Sequence, residues 1–231
     1  MTGGTVRYMS HLPHFRRCEN LPAFFTALAA GERRWLCCLG DSNTNNTDFT
    51  RGGKQWPELV HTALKRAAKT QTLMLANAGV SGDTVDQALA RFDHDVARIR
   101  PDLTIVCLGT NDGAKSTDAA YTAGMNTLID RLLALGSQVV LRTPAVVWEM
   151  SPSRIWPSDN RAWAYDRCRA IADERGLPLI DTHARWCALE AAGRLPLPGL
   201  MADAIHTNAA GHRLVAGQIL EAFGLSADDA R

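Results

Sequence analysis

Residues 35–44 read Trp35-Leu36-Cys37-Cys38-Leu39-Gly40-Asp41-Ser42-Asn43-Thr44. Apolar residues run without alternation and then give way, at a glycine, to polar ones. An unbroken apolar run is what a strand covered on both faces requires. The glycine permits a tight turn. A serine on such a turn presents its hydroxyl, which becomes a nucleophile only when a base takes its proton.

The same pattern recurs along the chain. Strands are expected at Trp35–Leu39, Thr72–Ala76, Leu103–Leu108, Gln138–Arg142 and Leu177–Ile180. Helical spacing separates them. Trp56–Ala68 repeats apolar residues every three or four positions, as do Thr84–Arg91, Ala119–Leu135, Asp159–Arg175 and Asn208–Phe223. Asn20–Ala30 reads as a leading helix, and Gly136 and Gly176 stand where helix C-termini need them. Strand–helix–strand repetition predicts right-handed crossovers and a parallel sheet. Such open sheets bind ligands beyond the carboxyl ends of their strands.

Polar clusters stand at those ends. Asn77-Ala78-Gly79-Val80-Ser81-Gly82-Asp83-Thr84 follows the second strand, and Gly109-Thr110-Asn111-Asp112 follows the third. Asp203-Ala204-Ile205-His206 lies near the C-terminus. His206 is the expected general base, then acid, for Ser42. Asp203, three residues earlier, reaches the same side of a turn and can orient the imidazole. The N–H groups of Ser42 and Gly79 and the amide of Asn111 are the expected oxyanion donors.

Taken in order, these blocks resemble the SGNH/GDSL hydrolases, named for a Ser, Gly, Asn and His in four blocks. The blocks map onto Gly40-Asp41-Ser42, Gly79, Gly109-x-Asn111-Asp112 and Asp203-x-x-His206, over roughly residues 20–224. The resemblance implies a flavodoxin-like three-layer α/β/α sandwich whose central parallel sheet has about five strands, ordered 2-1-3-4-5. It also implies metal-free hydrolysis of esters, thioesters or sugar acetates through an acyl-enzyme, without a cofactor. Asn43-Thr44 departs from the aliphatic residue and Thr that many members carry, a difference expected to touch substrate choice and leave the nucleophile alone.

The bulk properties agree with a single domain. The chain has 231 residues, 46% hydrophobic and 21% charged, with a net charge of +1. Residues 1–18 are expected to form an N-terminal arm and residues 19–231 one catalytic domain. Scattered Lys and Arg form no stripe, so no nucleic-acid partner is expected. No apolar run approaches the roughly 20 residues of a membrane span. The first ten residues lack a charged-then-apolar leader, and a cytoplasmic location is expected. Cys37, Cys38 and Cys107 lie inside apolar runs and read as core. The chain has no C-x-x-C, G-x-S-x-G, H-E-x-x-H or phosphate-loop pattern.

Several residues have competing readings. Asp181-Thr182-His183 is a rival acid–base pair, and His212 is expected to pack near the start of the last helix. His11, His14, His61 and His94 are expected on the surface or on helix faces. Asp41 and Asp112 are expected to brace neighbouring loops, with Asp41 also a candidate substrate contact. The segment 143–160 is long for a strand-to-helix connection. Its Trp148, Met150, Ile155 and Trp156 are candidates to line an acyl or sugar subsite, or else a satellite core. Three functions follow in order: an esterase for small to medium acyl chains, a carbohydrate O-acetylesterase on the same residues, and a silent binding protein that keeps the fold.

Overall fold

A computed structural model of the chain describes residues 15–16, 21–147 and 161–230. Its sheet begins with the edge strand β1 (Phe15–Arg16), followed in the chain by β2 (Arg34–Gly40), β3 (Leu73–Gly79), β4 (Leu103–Cys107), β5 (Gln138–Arg142) and β6 (Leu179–Ile180). Their spatial order is β1-β6-β5-β4-β2-β3. Strands β2 to β6 are parallel and follow the expected 2-1-3-4-5 order. β1 is an antiparallel addition that pairs Phe15 with Ile180, so part of the expected arm joins the sheet.

The alternation of side chains along each strand divides the core in two. Leu36, Cys38, Ile105, Val140 and Ile180 point to one face. There they meet α1 (Pro22–Ala29), α3 (Trp56–Ala67) and α10 (Ala209–Ala222). Cys37, Leu39, Val106, Val139 and Leu141 point to the other. That face is covered by α4 (Val85–Ala90), α6 (Asp118–Ala134) and α7 (Ala162–Arg175). This two-sided cover is why the strand sequences show no polar alternation. The edge strand β3 is only half buried along its middle.

The expected helices agree with these to within a few residues; Asn20 and the start of Asp159–Arg175 lie outside the described residues. Four short helices escaped the periodicity argument: α2 (Thr47–Thr50), α5 (Asp112–Lys115), α8 (Thr182–Ala191) and α9 (Leu197–Leu200). Three of them, α2, α5 and α9, have four residues each, too few to show a period. The chain also makes a π-helical turn at Asp93–Ala97.

The strand register places the site. Gly40 pairs with Gly79 on one side and with Cys107 on the other. The segments that follow β2, β3 and β4 therefore leave the sheet side by side. At Gly40 a side chain has no room, since a Cβ would lie 2.1 Å from Thr44 Oγ1 and 2.7 Å from the Cys107 carbonyl oxygen.

Candidate active site

The turn after β2 is built on Asp41. Its carbonyl accepts the N–H groups of Thr44 and Asn45, and its carboxylate accepts that of Asn43 at 2.9 Å. Ser42 is held at the apex, 5% exposed. Its hydroxyl oxygen lies 2.9 Å from His206 Nε2.

His206 is oriented from its other nitrogen. Nδ1 lies 2.6 Å from Asp203 Oδ2. The other oxygen, Asp203 Oδ1, accepts the backbone N–H groups of Ile205 and His206, each at 2.8 Å. This side-chain-to-backbone turn is what makes the three-residue spacing work: the carboxylate folds its own chain back and delivers the imidazole. Burial raises the Asp203 pKa, but the bonds from His206 and the two amides prevail and hold it below the ordinary carboxylate value. The acid therefore stays ionised against a ring that must carry a proton on Nδ1.

Two contacts fix the remaining freedom of this pair. Phe49, on α2, stacks on the imidazole with ring centroids 3.6 Å apart and planes at 12°. Asn43 joins the two loops, its side-chain oxygen accepting the Thr207 N–H at 3.4 Å and its carbonyl accepting the Trp56 indole N–H at 3.0 Å. Asn43 is 4% exposed. The departure from the family pattern at this position thus serves to tie the Ser42 turn to the His206 loop.

Asn111 sits at the end of β4 and reaches across to both neighbouring loops. Its side-chain amide donates to the Asp83 carbonyl at 3.0 Å and approaches Asp41 Oδ2 at 3.5 Å. Gly79 is placed differently from the expectation. Its N–H donates to Asn77 Oδ1 at 3.3 Å, and a Cβ there would meet Asn45 at 2.8 Å. Its glycine is needed for close packing of the Ser42 turn against β3. Gly82, three residues on, is the third residue of a turn closed by Asp83 N–H to the Val80 carbonyl, and its φ is +86°. That conformation calls for glycine. Its N–H has no acceptor among the described residues.

Asp41 is corrected as a substrate contact. Its side chain is 0% exposed, with no surface to offer a ligand. Burial pushes its pKa up to about 6, against the Asn43 N–H and the positive influence of His206 and Arg142. Arg142 ends β5, and nothing in the sequence around it marks a role beyond the strand. It is buried, donates to Cys107 Sγ, the Thr143 carbonyl and Thr182 Oγ1, and lies over the Trp56 ring at 5.0 Å. Asp112 accepts the first N–H of α4 at 2.9 Å, and burial pushes its pKa up to about 6 as well.

The rival histidines are accounted for by other partners. Asp181 caps α8 at the Ala184 N–H and is held by Arg169 and by the Thr143 hydroxyl. His183 faces Arg169 and Tyr165. His212 is buried and accepts the Trp56 N–H on Nδ1 at 3.2 Å. His61 bonds the Leu73 carbonyl and His94 pairs with Asp95. Trp148, Met150, Ile155 and Trp156, like His11 and His14, lie outside the described residues.

Comparison with known proteins supplies an independent line. Residues 38–214 match the family described as GDSL-like Lipase/Acylhydrolase. An acetylxylan esterase from Geobacillus stearothermophilus is 28% identical over 161 residues, 66% of this chain and 73% of that protein. An arylesterase from Vibrio mimicus is 31% identical over 127 residues, 54% of this chain and 62% of that protein. Among solved structures, a Geobacillus stearothermophilus acetylxylan esterase superposes with a TM-score of 0.70 at 22% identity, covering 84% of this chain and 95% of its own. A two-domain esterase active on acetylated mannans gives 0.76 at 22% identity, covering 90% of this chain and 54% of its own. At these identities the structural matches establish the shared fold.

Proposed function

The chain belongs to the GDSL-like lipase/acylhydrolase family and is a serine esterase of that type; from that premise we propose that it cleaves carboxylic esters of small to medium acyl chains through an acyl-enzyme on Ser42. The observation that carries this reading is the unbroken series Ser42 Oγ, His206 Nε2, His206 Nδ1, Asp203 Oδ2, with successive bonds of 2.9 and 2.6 Å.

In this mechanism His206 Nε2 takes the hydroxyl proton as Ser42 Oγ bonds to the ester carbonyl carbon. Asp203 stabilises the imidazolium without accepting its proton. The carbonyl oxygen becomes an oxyanion and needs donors already in place. The Ser42 N–H and one hydrogen of the Asn111 amide are proposed for this. For the second backbone donor we favour Gly82 over Gly79, because the Gly79 N–H already serves Asn77. The intermediate collapses as His206 returns the proton to the leaving alcohol. A water, activated by the same imidazole, then releases the acid.

A second reading narrows the substrate to acetylated carbohydrate. The names of two similar proteins, an acetylxylan esterase and an esterase active on acetylated mannans, support it. Both readings require Ser42. Replacement by alanine is expected to abolish burst-phase acylation and lower turnover of p-nitrophenyl acetate by a factor on the order of 10⁶; wild-type turnover in Ser42→Ala would refute the mechanism. Acetate release from acetylated xylan or mannan, set against hydrolysis of p-nitrophenyl esters of increasing chain length, separates the two substrates.

A further inference from the structure

Beside Phe49, the ring that stacks on His206, lies a cleft of about 620 Å³ that none of the sequence blocks marks. Asp48, Phe49 and Arg51 line it together with Met201, Ala202 and Asn208. Phe49 belongs to both places, since it lines the cleft and stacks on the imidazole at 3.6 Å. Met201 and Ala202 adjoin the His206 loop, because Ala202 N–H donates to the His206 carbonyl at 2.8 Å and Met201 bridges Thr207.

We infer that this cleft receives the alcohol half of the ester, and that the alcohol is a carbohydrate; the inference rests on Ser42 and His206 acting as proposed above. The reason is the direction of the chemistry. The proposed donors, Ser42 N–H, Asn111 and Gly82, belong to the turns after β2, β4 and β3, so the carbonyl oxygen lies on that side. In the second half of acylation the bond from the carbonyl carbon to the alcohol oxygen breaks. Its electron pair stays on that oxygen, which takes the Nε2 proton of His206. A general acid must be within hydrogen-bond reach of the atom it protonates. The departing oxygen is therefore beside His206, whose ring Phe49 covers, and Phe49 also lines the cleft.

The lining selects the class of alcohol. Asn208 and Thr50 spend their side chains on the protein: Asn208 caps α10 and bonds the Gly199 and Met201 carbonyls, and Thr50 bonds those of Thr47 and Gly53. Asp48 and Arg51 are exposed. A lipid alcohol would desolvate these charges without giving them partners, which is costly. The hydroxyls of a sugar can donate to the carboxylate and accept from the guanidinium, while the half-buried Phe49 offers a flat apolar face. The volume falls within the range of small-molecule sites.

Two variants and three esters test this. Ala202→Trp fills the cleft; Asp48→Ala, at an exposed position, removes the carboxylate with little risk to the fold. The quantity to follow is kcat/KM for peracetylated xylobiose divided by that for p-nitrophenyl acetate, which shares the acyl group and differs in the alcohol. It is expected to fall at least tenfold in Ala202→Trp and at least threefold in Asp48→Ala. A ratio within twofold of wild type in both variants overturns the inference. So does a fall in the ratio of p-nitrophenyl octanoate to p-nitrophenyl acetate instead, which would make the cleft an acyl site. Labelling of the wild-type enzyme at Ser42 by a fluorophosphonate reports on the nucleophile separately. A labelled enzyme with an unmoved ratio leaves the mechanism standing and removes only the cleft.

Discussion

Asp203 divides its two carboxylate oxygens between the backbone and the imidazole, and this division makes its role separable by mutation. In Asp203→Asn the side-chain oxygen can keep the Ile205 and His206 amides. The new NH₂ group faces Nδ1 and favours the tautomer with the proton on Nε2, where it cannot accept from Ser42. Turnover is expected to fall by a factor on the order of 10³–10⁴, with the thermal midpoint nearly unchanged. A fall in stability as large as the fall in rate would make Asp203 a structural residue. At this scale the motif residues Ser42, Asn111, Asp203 and His206 were legible because their chemistry restricts the residue types allowed. Phe49 was not legible. It lies in a stretch of Asn, Thr and Gly with no period, and nothing local says that its ring covers His206. The difference between Gly79 and Gly82 was also invisible, because it depends on which backbone N–H is already occupied.

Among elements, β2 and the turn behind it carry the tightest constraint. Gly40 stands between Thr44 and the β4 backbone, with no space for a methyl group. Gly40→Ala must push the turn or the neighbouring strand aside. Overpacking of this kind costs about 1–3 kcal/mol, or a thermal midpoint lower by roughly 3–10 °C in a domain of this size. Turnover is expected to fall by more than tenfold, as the 2.9 Å contact between Ser42 and His206 is the first thing the shift disturbs. Calorimetry with a p-nitrophenyl acetate assay checks both. Full activity with an unchanged midpoint would show that the turn yields freely. Of the elements themselves, the long ones were readable from apolar spacing, and the short helices α2, α5 and α9 were not. α8 is long enough, but its ten residues bury only Thr182 and Trp186 and present no apolar stripe.

Across the whole molecule, His212 couples the fold to pH. It lies on α10, and its Nδ1 accepts the Trp56 N–H at the start of α3. Burial, with Arg142 and His206 nearby, pushes its pKa down to about 3. The unfolded chain takes up this proton near pH 6.5 and the folded chain does not. The stability it supports is therefore complete above pH 6.5 and is lost as pH falls towards 3. Asp41 and Asp112, pushed up to about 6 by burial, work in the opposite sense. Their contribution is complete below their ordinary value and is lost as pH rises through 6. Comparison with His212→Gln isolates the histidine. The advantage of wild type over the variant in urea unfolding should shrink by on the order of 1–2 kcal/mol between pH 6.5 and 5. An advantage constant across that range would mean that His212 takes up its proton in the fold as readily as in the unfolded chain. Taken by itself, the sequence determined the parallel α/β architecture, the strand order through the family resemblance, and the residue types proposed for the chemistry. It did so because burial on two faces and activation of a hydroxyl each leave few residues to choose from. Only the tertiary structure decided which N–H groups are spare, what stacks on His206 and where a cleft opens beside it. These depend on the meeting of residues far apart in the chain, Phe49 against His206 and Ala202 in one cleft with Asp48, and no local pattern encodes such a meeting.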